Sequence, residues 1–263
     1  MTMKSAMRSS LGLALLVLLC FAPGASAQNT VVLTDAGDFV WDNIYVSPYY
    51  GTVNGVPNTQ VICDDFMDQS QLNGKPWNAN ITQLSSLSAS TLGNTIWGSY
   101  YAGSQSTQTI INWYEEAAWL TLGLLAQPAK SADKAYYSYA IWAVFDAEGV
   151  RSWLNSHNDT AACNFIFGAG NNCKNTNLTA GALLLTAQQS YQSGNYSNFL
   201  IITPLGSNWK VCTPGNGSCP SQEFFEVVAE GGTAAMYLLL ASFSCFAAMF
   251  FRSRRQRPGR GIA

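Results

Sequence analysis

The first third of the chain contains short runs in which apolar residues alternate with polar ones. These runs, at residues 30–34, 44–53 and 60–66, are rich in Val, Ile, Tyr and Thr. Such residues suit a pleated, half-buried surface, so each run is predicted to be a β-strand. The dipeptide Asn54-Gly55, which is typical of a tight hairpin turn, follows the second run.

The pattern changes to a helical spacing in the middle of the chain. Apolar side chains recur every three or four residues from Trp113 to Leu124, and Ser131 is a suitable N-terminal cap for a second helix. Helices are therefore predicted at 112–126, 131–147 and 179–192, and a further strand at 198–203. This order predicts a single α+β domain, with N-terminal strands followed by helices and one returning strand.

Two longer apolar segments lie at the ends of the chain. At the N-terminus, Lys4 and Arg8 precede an apolar core at 11–21 and then small residues that end at Ala27. This order is typical of a secretory signal peptide, so we expect cleavage between Ala27 and Gln28 by signal peptidase.

At the C-terminus, residues 234–251 carry no charge, and five arginines follow within 252–263. This pattern predicts a transmembrane helix that crosses the membrane with its tail on the cytoplasmic side. The chain then divides into a signal peptide (1–27), an exported α+β domain (28–205), a tether with a sorting motif (206–233), the transmembrane helix (234–251) and the tail (252–263).

Charge is distributed unevenly between these segments. The exported part contains all fifteen acidic residues and only six basic ones, a formal net charge of −9, whereas the whole chain has −2. An acidic surface of this kind repels nucleic acid, so no nucleic-acid partner is expected.

The exported part contains five cysteines. Cys163 and Cys173 flank a Gly/Asn-rich loop, and Cys212 and Cys219 flank another short loop. Because an exported protein meets an oxidising compartment, each pair is predicted to form a disulfide. Cys63 is left without a partner, and its strand context predicts a buried thiol.

Catalytic candidates are few. The only histidine is His157, in a polar stretch that predicts an exposed loop. Asp64, Asp65 and Asp68 form an acidic patch that lacks the alternating pattern of a calcium loop, so no metal or other cofactor is expected. A glycosidase pair built from Asp64 or Asp65 with Glu115 or Glu116 stays open as an alternative.

The C-terminal order of Glu230-Gly231-Gly232, an apolar segment and an arginine cluster resembles the PEP-CTERM class of bacterial sorting signals. That class has a Pro-Glu-Pro motif, and neither proline is present here. The resemblance implies a membrane peptidase of the exosortase type as a partner, and display at the cell surface or in the extracellular matrix.

The exported domain is similar to the thioester domains of bacterial surface adhesins. Those domains crosslink a cysteine in a hydrophobic-Cys-Asp context to a glutamine in a Gln-x-Ala-Ile-Trp segment. The corresponding segments here are Val61-Ile62-Cys63-Asp64 and Ser138-Tyr139-Ala140-Ile141-Trp142. Serine has no carboxamide, so the resemblance implies a shared fold without a thioester between Cys63 and Ser138.

Together these patterns predict a non-enzymatic bacterial cell-surface or matrix protein with a role in adhesion or binding. The sequence does not identify its ligand. The two ligand classes that suit such a protein are a surface polysaccharide and a host or matrix component. The alternatives are a secreted carbohydrate-active enzyme that uses the carboxylates above, and an adhesin that acts covalently through Cys63.

Overall fold

The computed structural model describes residues 29–228, with gaps at 37–38, 69, 71, 169, 171–172, 174–177, 180, 207–209 and 216–219. Its strands are β1 (Asn29–Asp35), β2 (Val40–Trp41), β3 (Ile44–Tyr45), β4 (Tyr49–Val53), β5 (Val56–Cys63), β6 (Trp77–Gln83), β7 (Phe199–Pro204) and β8 (Phe224–Val227). Its α-helices are α1 (Ile96–Tyr100), α2 (Thr107–Ala126), α3 (Ala132–Phe145), α4 (Ala147–Ser156), α5 (Thr160–Phe167) and α6 (Leu183–Ser190). Short 3-10 turns lie at Leu84–Ser86, Leu92–Asn94 and Tyr191–Ser193.

Six strands form a closed antiparallel barrel in the order β1-β4-β5-β8-β7-β6, and β6 pairs with β1 to complete it. Successive side chains of a strand point to opposite faces. In β1, accordingly, Val31 and Leu33 are fully buried while Val32 between them is only partly buried. Gly51 of β4 lies where β1 bulges, and a Cβ there would come within 2.1 Å of the Val32 carbonyl oxygen.

The turn between β4 and β5 is the Asn54-Gly55 turn that the sequence predicts. Both residues have positive φ, +48° and +80°, which matches the right-handed twist of the strands that they join. This turn sets the register in which Tyr49 pairs with Val61, so it also determines which face of β5 points into the barrel.

Four of the α-helices begin at Ser or Asp side-chain caps, whereas α6 follows Ala182 without a side-chain cap. Each cap accepts a hydrogen bond from a backbone amide of its helix's first turn: Ser106 for α2, Ser131 for α3, Asp146 for α4 and Asp159 for α5. The cap at Ser131 was predicted, and it confirms where the second helix begins. Helices α4 and α5 were not predicted, because their short sequences show no long apolar repeat.

Helix α3 is the central helix of the domain. Its buried residues surround the helix rather than forming one stripe, which is typical of a helix covered on all sides. It packs against α2, α4, α5, α6 and strand β5. Trp142 of this helix is 1% exposed and lies among the largest buried side chains of the core.

The predicted fold class was wrong. We expected an α+β domain with one returning strand, but two strands, β7 and β8, return after the helices and close the barrel. Strand β8 lies within 206–233, the segment expected to be a tether, and its four residues are too few to give a clear alternating pattern.

The fold prediction also included a C-terminal transmembrane helix. Among the residues that the structure describes, no helix is both long and apolar enough to cross a membrane. The segment 234–251 lies outside the described residues, as do the signal peptide, the Ala27-Gln28 cleavage position, the motif at Glu230-Gly231-Gly232 and the tail.

Candidate functional site

Cys63 ends strand β5 in the interior of the domain and is 0% exposed. Its backbone amide donates to the Ser47 hydroxyl at 3.0 Å, and its thiol donates to the Asp65 carbonyl at 3.0 Å. Burial, followed by the nearby Asp65 and Asp64 carboxyls, raises the pKa of the thiol well above its ordinary value. The thiol is therefore neutral and enclosed, as its strand context predicted.

The two segments that carry the thioester-domain resemblance are in contact. The indole Nε1 of Trp142 donates to the Cys63 carbonyl oxygen at 3.0 Å. Ser138, one turn earlier in α3, is also fully buried, but its hydroxyl donates to the Lys134 carbonyl of its own helix at 3.3 Å. The contact between the segments is thus made by Trp142, while the described hydrogen bond of Ser138 stays within the helix.

A buried carboxyl cluster lies next to Cys63. Asp64 and Asp65 follow the cysteine in sequence, Glu223 precedes β8, and all three are 0% exposed. The strands bring them together, because the Asp64 amide donates to the Glu223 carbonyl at 3.2 Å and β5 pairs with β8. The sequence reasoning singled out the two aspartates and missed Glu223, whose only signal is a charge directly before the apolar pair Phe224-Phe225.

Glu223 is held by three donors from three elements. Its carboxylate accepts from the Ile96 amide at 2.7 Å, from the Tyr114 hydroxyl at 2.6 Å and from the Thr203 hydroxyl. Burial raises the pKa of Glu223 to about 7, and these donors act in the opposite direction by favouring its ionised form. Glu223 therefore connects α1, α2 and β7 to the start of β8.

Burial favours the protonated form of both aspartates. Burial, followed by the Glu223 carboxyl, raises the pKa of Asp64 well above its ordinary value. Burial, followed by the neighbouring Asp68 carboxylate, raises the pKa of Asp65 to about 8. Both carboxyls are fully enclosed, so they have no surface open to a substrate.

The other acidic candidates lie elsewhere. Helix α2 contacts the carboxyl cluster through the Tyr114 hydroxyl, which donates to Glu223. No described hydrogen bond connects Glu115 or Glu116 to this cluster. Glu116 is 7% exposed, and burial raises its pKa to about 7. Within the described residues, no group of three or more His, Cys, Asp or Glu side chains is arranged to hold a metal ion.

His157 lies in the turn directly after α4, which agrees with the predicted loop, but it is partly buried rather than exposed. Its ring stacks on Trp153 with a centroid distance of 4.2 Å. No described hydrogen bond connects it to Cys63, so the structure does not assemble a Cys-His pair from these residues.

A cleft of about 460 Å³ is lined in part by Trp142 and Gln222, which hydrogen-bond to the backbone of Cys63 and Asp65. Its lining residues are Asn43, Ile44, Tyr45, Tyr49, Phe66, Met67, Asp68, Ser70, Trp142, Trp153 and Gln222. Five of these eleven side chains are aromatic, and the others include a carboxylate, two amides and a hydroxyl. Of the lining residues, the sequence had pointed only to Asp68 and Trp142, and to neither as part of a cleft, because the lining comes from five separate segments.

One wall of the cleft is the β2–β3 ribbon, which is attached firmly to the helices. Its Asp42-Asn43 turn has positive φ at both residues, +48° and +63°. Next to this turn, the Trp41 indole donates to Asp159 at 3.0 Å and packs edge-on against Tyr136 at 5.9 Å. The ribbon thus holds Tyr45, which is 47% exposed, at the rim.

The floor and the opposite wall are also packed in place. Phe66 lies 5.2 Å from Trp142 and 5.9 Å from Trp153, measured between ring centroids. Gln222, which is 5% exposed, donates to the Asp65 and Asp68 carbonyls and accepts from the Ser70 hydroxyl. The cleft is therefore preformed, as small-molecule sites usually are.

Cys163 and Cys173 form a disulfide, with their Cα atoms 5.4 Å apart, and this pairing confirms the prediction. It connects α5 to the segment that follows it. Cys212 is buried, whereas Cys219, the other half of the second predicted pair, lies outside the described residues.

No known protein family, curated protein or solved structure matches this chain. Its function is therefore argued from the geometry of the described residues.

Proposed function

We propose that this chain is an exported, non-enzymatic binding protein of a bacterial cell surface or extracellular matrix, and that its ligand occupies the aromatic cleft. The observation that carries the proposal is the cleft itself, a preformed cavity of about 460 Å³ with aromatic walls and a few polar groups. Cavities of this size and composition are typical of ligand sites.

Two observations support export. The N-terminal residues have the order of a signal peptide, and Cys163 is paired with Cys173. Disulfides persist mainly in oxidising compartments outside the cytosol. Sorting by an exosortase-type peptidase concerns residues beyond those described and stays a prediction from the sequence resemblance.

The carboxyls support binding rather than catalysis. A glycosidase needs two carboxyls that reach opposite sides of one bound sugar bond. Asp64, Asp65 and Glu223 are fully enclosed, and among the described lining residues of the cleft only Asp68 carries a carboxylate. A single carboxylate can orient a ligand, but it does not supply an acid and a base.

The proposal is tested by adding the protein back to its own cells. The protein is purified from the producing cells, labelled with an amine-reactive dye, and added to cells from which its gene is deleted. No lysine is among the described lining residues of the cleft, so the label leaves the cleft unaltered. We expect the labelled protein to bind the cell surface or matrix, and Tyr45→Ala to lower the bound fluorescence about fivefold.

Tyr100→Ala is the matched control, because Tyr100 is 46% exposed and lies on α1, outside the cleft lining. It is expected to bind like the wild type. Equal binding by Tyr45→Ala and Tyr100→Ala, or no binding by the wild type, would contradict the proposal.

A further inference from the structure

The chemistry of the cleft lining restricts the kind of ligand that it accepts. Among the described lining residues there is no lysine, arginine or histidine, and Asp68 supplies the one formal charge. The exported part as a whole has a formal net charge of −9. An anionic ligand would therefore be repelled, both within the cleft and on approach to it.

The one charged group of the cleft is an acceptor, and the lining also contains donors such as the Asn43 amide and the Trp153 indole. Asp68 accepts from the Gly215 amide at 3.2 Å through one oxygen, and a carboxylate has about four acceptor positions in all. The amide nitrogen of Gln222 already donates to two backbone carbonyls, so it has no donor left to offer. A ligand that satisfies this lining must bring both donors and acceptors without bringing negative charge.

The aromatic side chains supply flat, partly exposed surfaces. Tyr45 is 47% exposed, and Phe66 and Trp153 are partly buried in the cleft wall. The face of an aromatic ring is negative and attracts the slightly positive hydrogens of C–H groups. A sugar ring combines apolar C–H faces with hydroxyl donors around its edge, which is the combination that this lining requires.

We propose that the aromatic cleft binds a segment of a neutral polysaccharide, with sugar C–H faces against Tyr45 and Trp153 and hydroxyls hydrogen-bonded to Asp68 and Asn43. This inference rests on the proposed function, because it names the ligand class of the same cleft. Recognition involves no covalent step, and the Asp68 charge, with no cation among the described lining residues, disfavours a ligand that carries carboxylates.

The test compares hexasaccharides of equal length and different charge. The neutral probes are the β-glucose and the N-acetylglucosamine hexamers, the anionic probe is the galacturonate hexamer, and the cationic probe is the glucosamine hexamer. Each is titrated to about 10 mM, which covers weak binding, and binding is followed by tryptophan fluorescence and by calorimetry. Trp153 lines the cleft, so its emission reports occupancy.

We expect at least one neutral hexamer to bind, and to bind tighter than both charged hexamers. Tyr45→Ala is expected to weaken that binding about tenfold and Tyr100→Ala by less than about twofold. Asp68→Asn keeps an oxygen for the Gly215 amide but removes the charge, and it is expected to weaken binding about fivefold. Thermal unfolding of each variant checks that the fold is retained.

Three results would overturn the inference: no binding of either neutral hexamer, tighter binding of the galacturonate or glucosamine hexamer, or affinities that Tyr45→Ala and Asp68→Asn leave unchanged. The experiment on cells separates this failure from that of the proposed function. If the protein binds cells through Tyr45 but no neutral hexamer binds, the proposed function stands and the ligand class is wrong.

Discussion

Removing one hydroxyl from the buried carboxyl cluster tests whether Glu223 is ionised inside the folded protein. Tyr114 is fully buried, and its hydroxyl donates to Glu223 at 2.6 Å. Tyr114→Phe removes this donor and leaves the aromatic ring, which packs against Phe145 and Phe225. The substitution therefore isolates a single hydrogen bond from the packing of the core.

The size of the effect depends on the charge of the acceptor. A hydrogen bond to a charged group contributes about 1.5–3 kcal/mol, and one between neutral groups about 0.5–1.5 kcal/mol. The pKa of Glu223 is raised to about 7, so the folded protein holds this group mainly ionised at pH 8 and protonated at pH 5. We expect Tyr114→Phe to lower the free energy of unfolding by about 2 kcal/mol at pH 8 and about 1 kcal/mol at pH 5.

The assay is urea unfolding at both pH values, followed by tryptophan fluorescence. Tyr101→Phe is the matched control, because the Tyr101 hydroxyl donates at 2.6 Å to a backbone carbonyl, that of Phe145. That acceptor does not titrate, so the control should lose about 1 kcal/mol at both pH values. A loss for Tyr114→Phe that is equal at pH 5 and pH 8 would refute an ionised Glu223.

Three further predictions concern the cluster and the cysteines. The wild-type protein should be more stable to urea at pH 5 than at pH 8. The reason is that the folded state retains protons on Asp65 and Glu223 at pH values where the unfolded state has already lost them. A rise in stability with pH would contradict this. Cys63 should react with iodoacetamide only after unfolding, and the intact mass should show no loss of ammonia that methylamine reverses. A methylamine-reversible loss of one ammonia would instead indicate a crosslink to Gln222, whose amide shares the Asp65 carbonyl with the thiol. Replacing Cys163 by serine should lower the free energy of unfolding by about 2–3 kcal/mol in urea, and an unchanged midpoint would argue against the disulfide.

Local features of the fold follow from the sequence. The Asn54-Gly55 turn, the Ser131 cap and the closing of the loop between Cys163 and Cys173 each depend on residues close together in the chain. The burial of Cys63 also follows, because alternation along its strand assigns it to the interior. These features are set by backbone conformation and side-chain chemistry within short segments, so one sequence is enough to predict them.

The closure of the barrel and the position of its cleft were decided by the tertiary structure. Strand β8 is short, and its pairing with β5 joins residues that lie more than 150 positions apart. That pairing brings Glu223 to Asp64 and Gln222 to Asp68, while the β2–β3 ribbon and α4 supply the cleft walls. Such contacts form only when distant segments pack together, because their stability comes from shared burial and hydrogen bonds rather than from any local pattern.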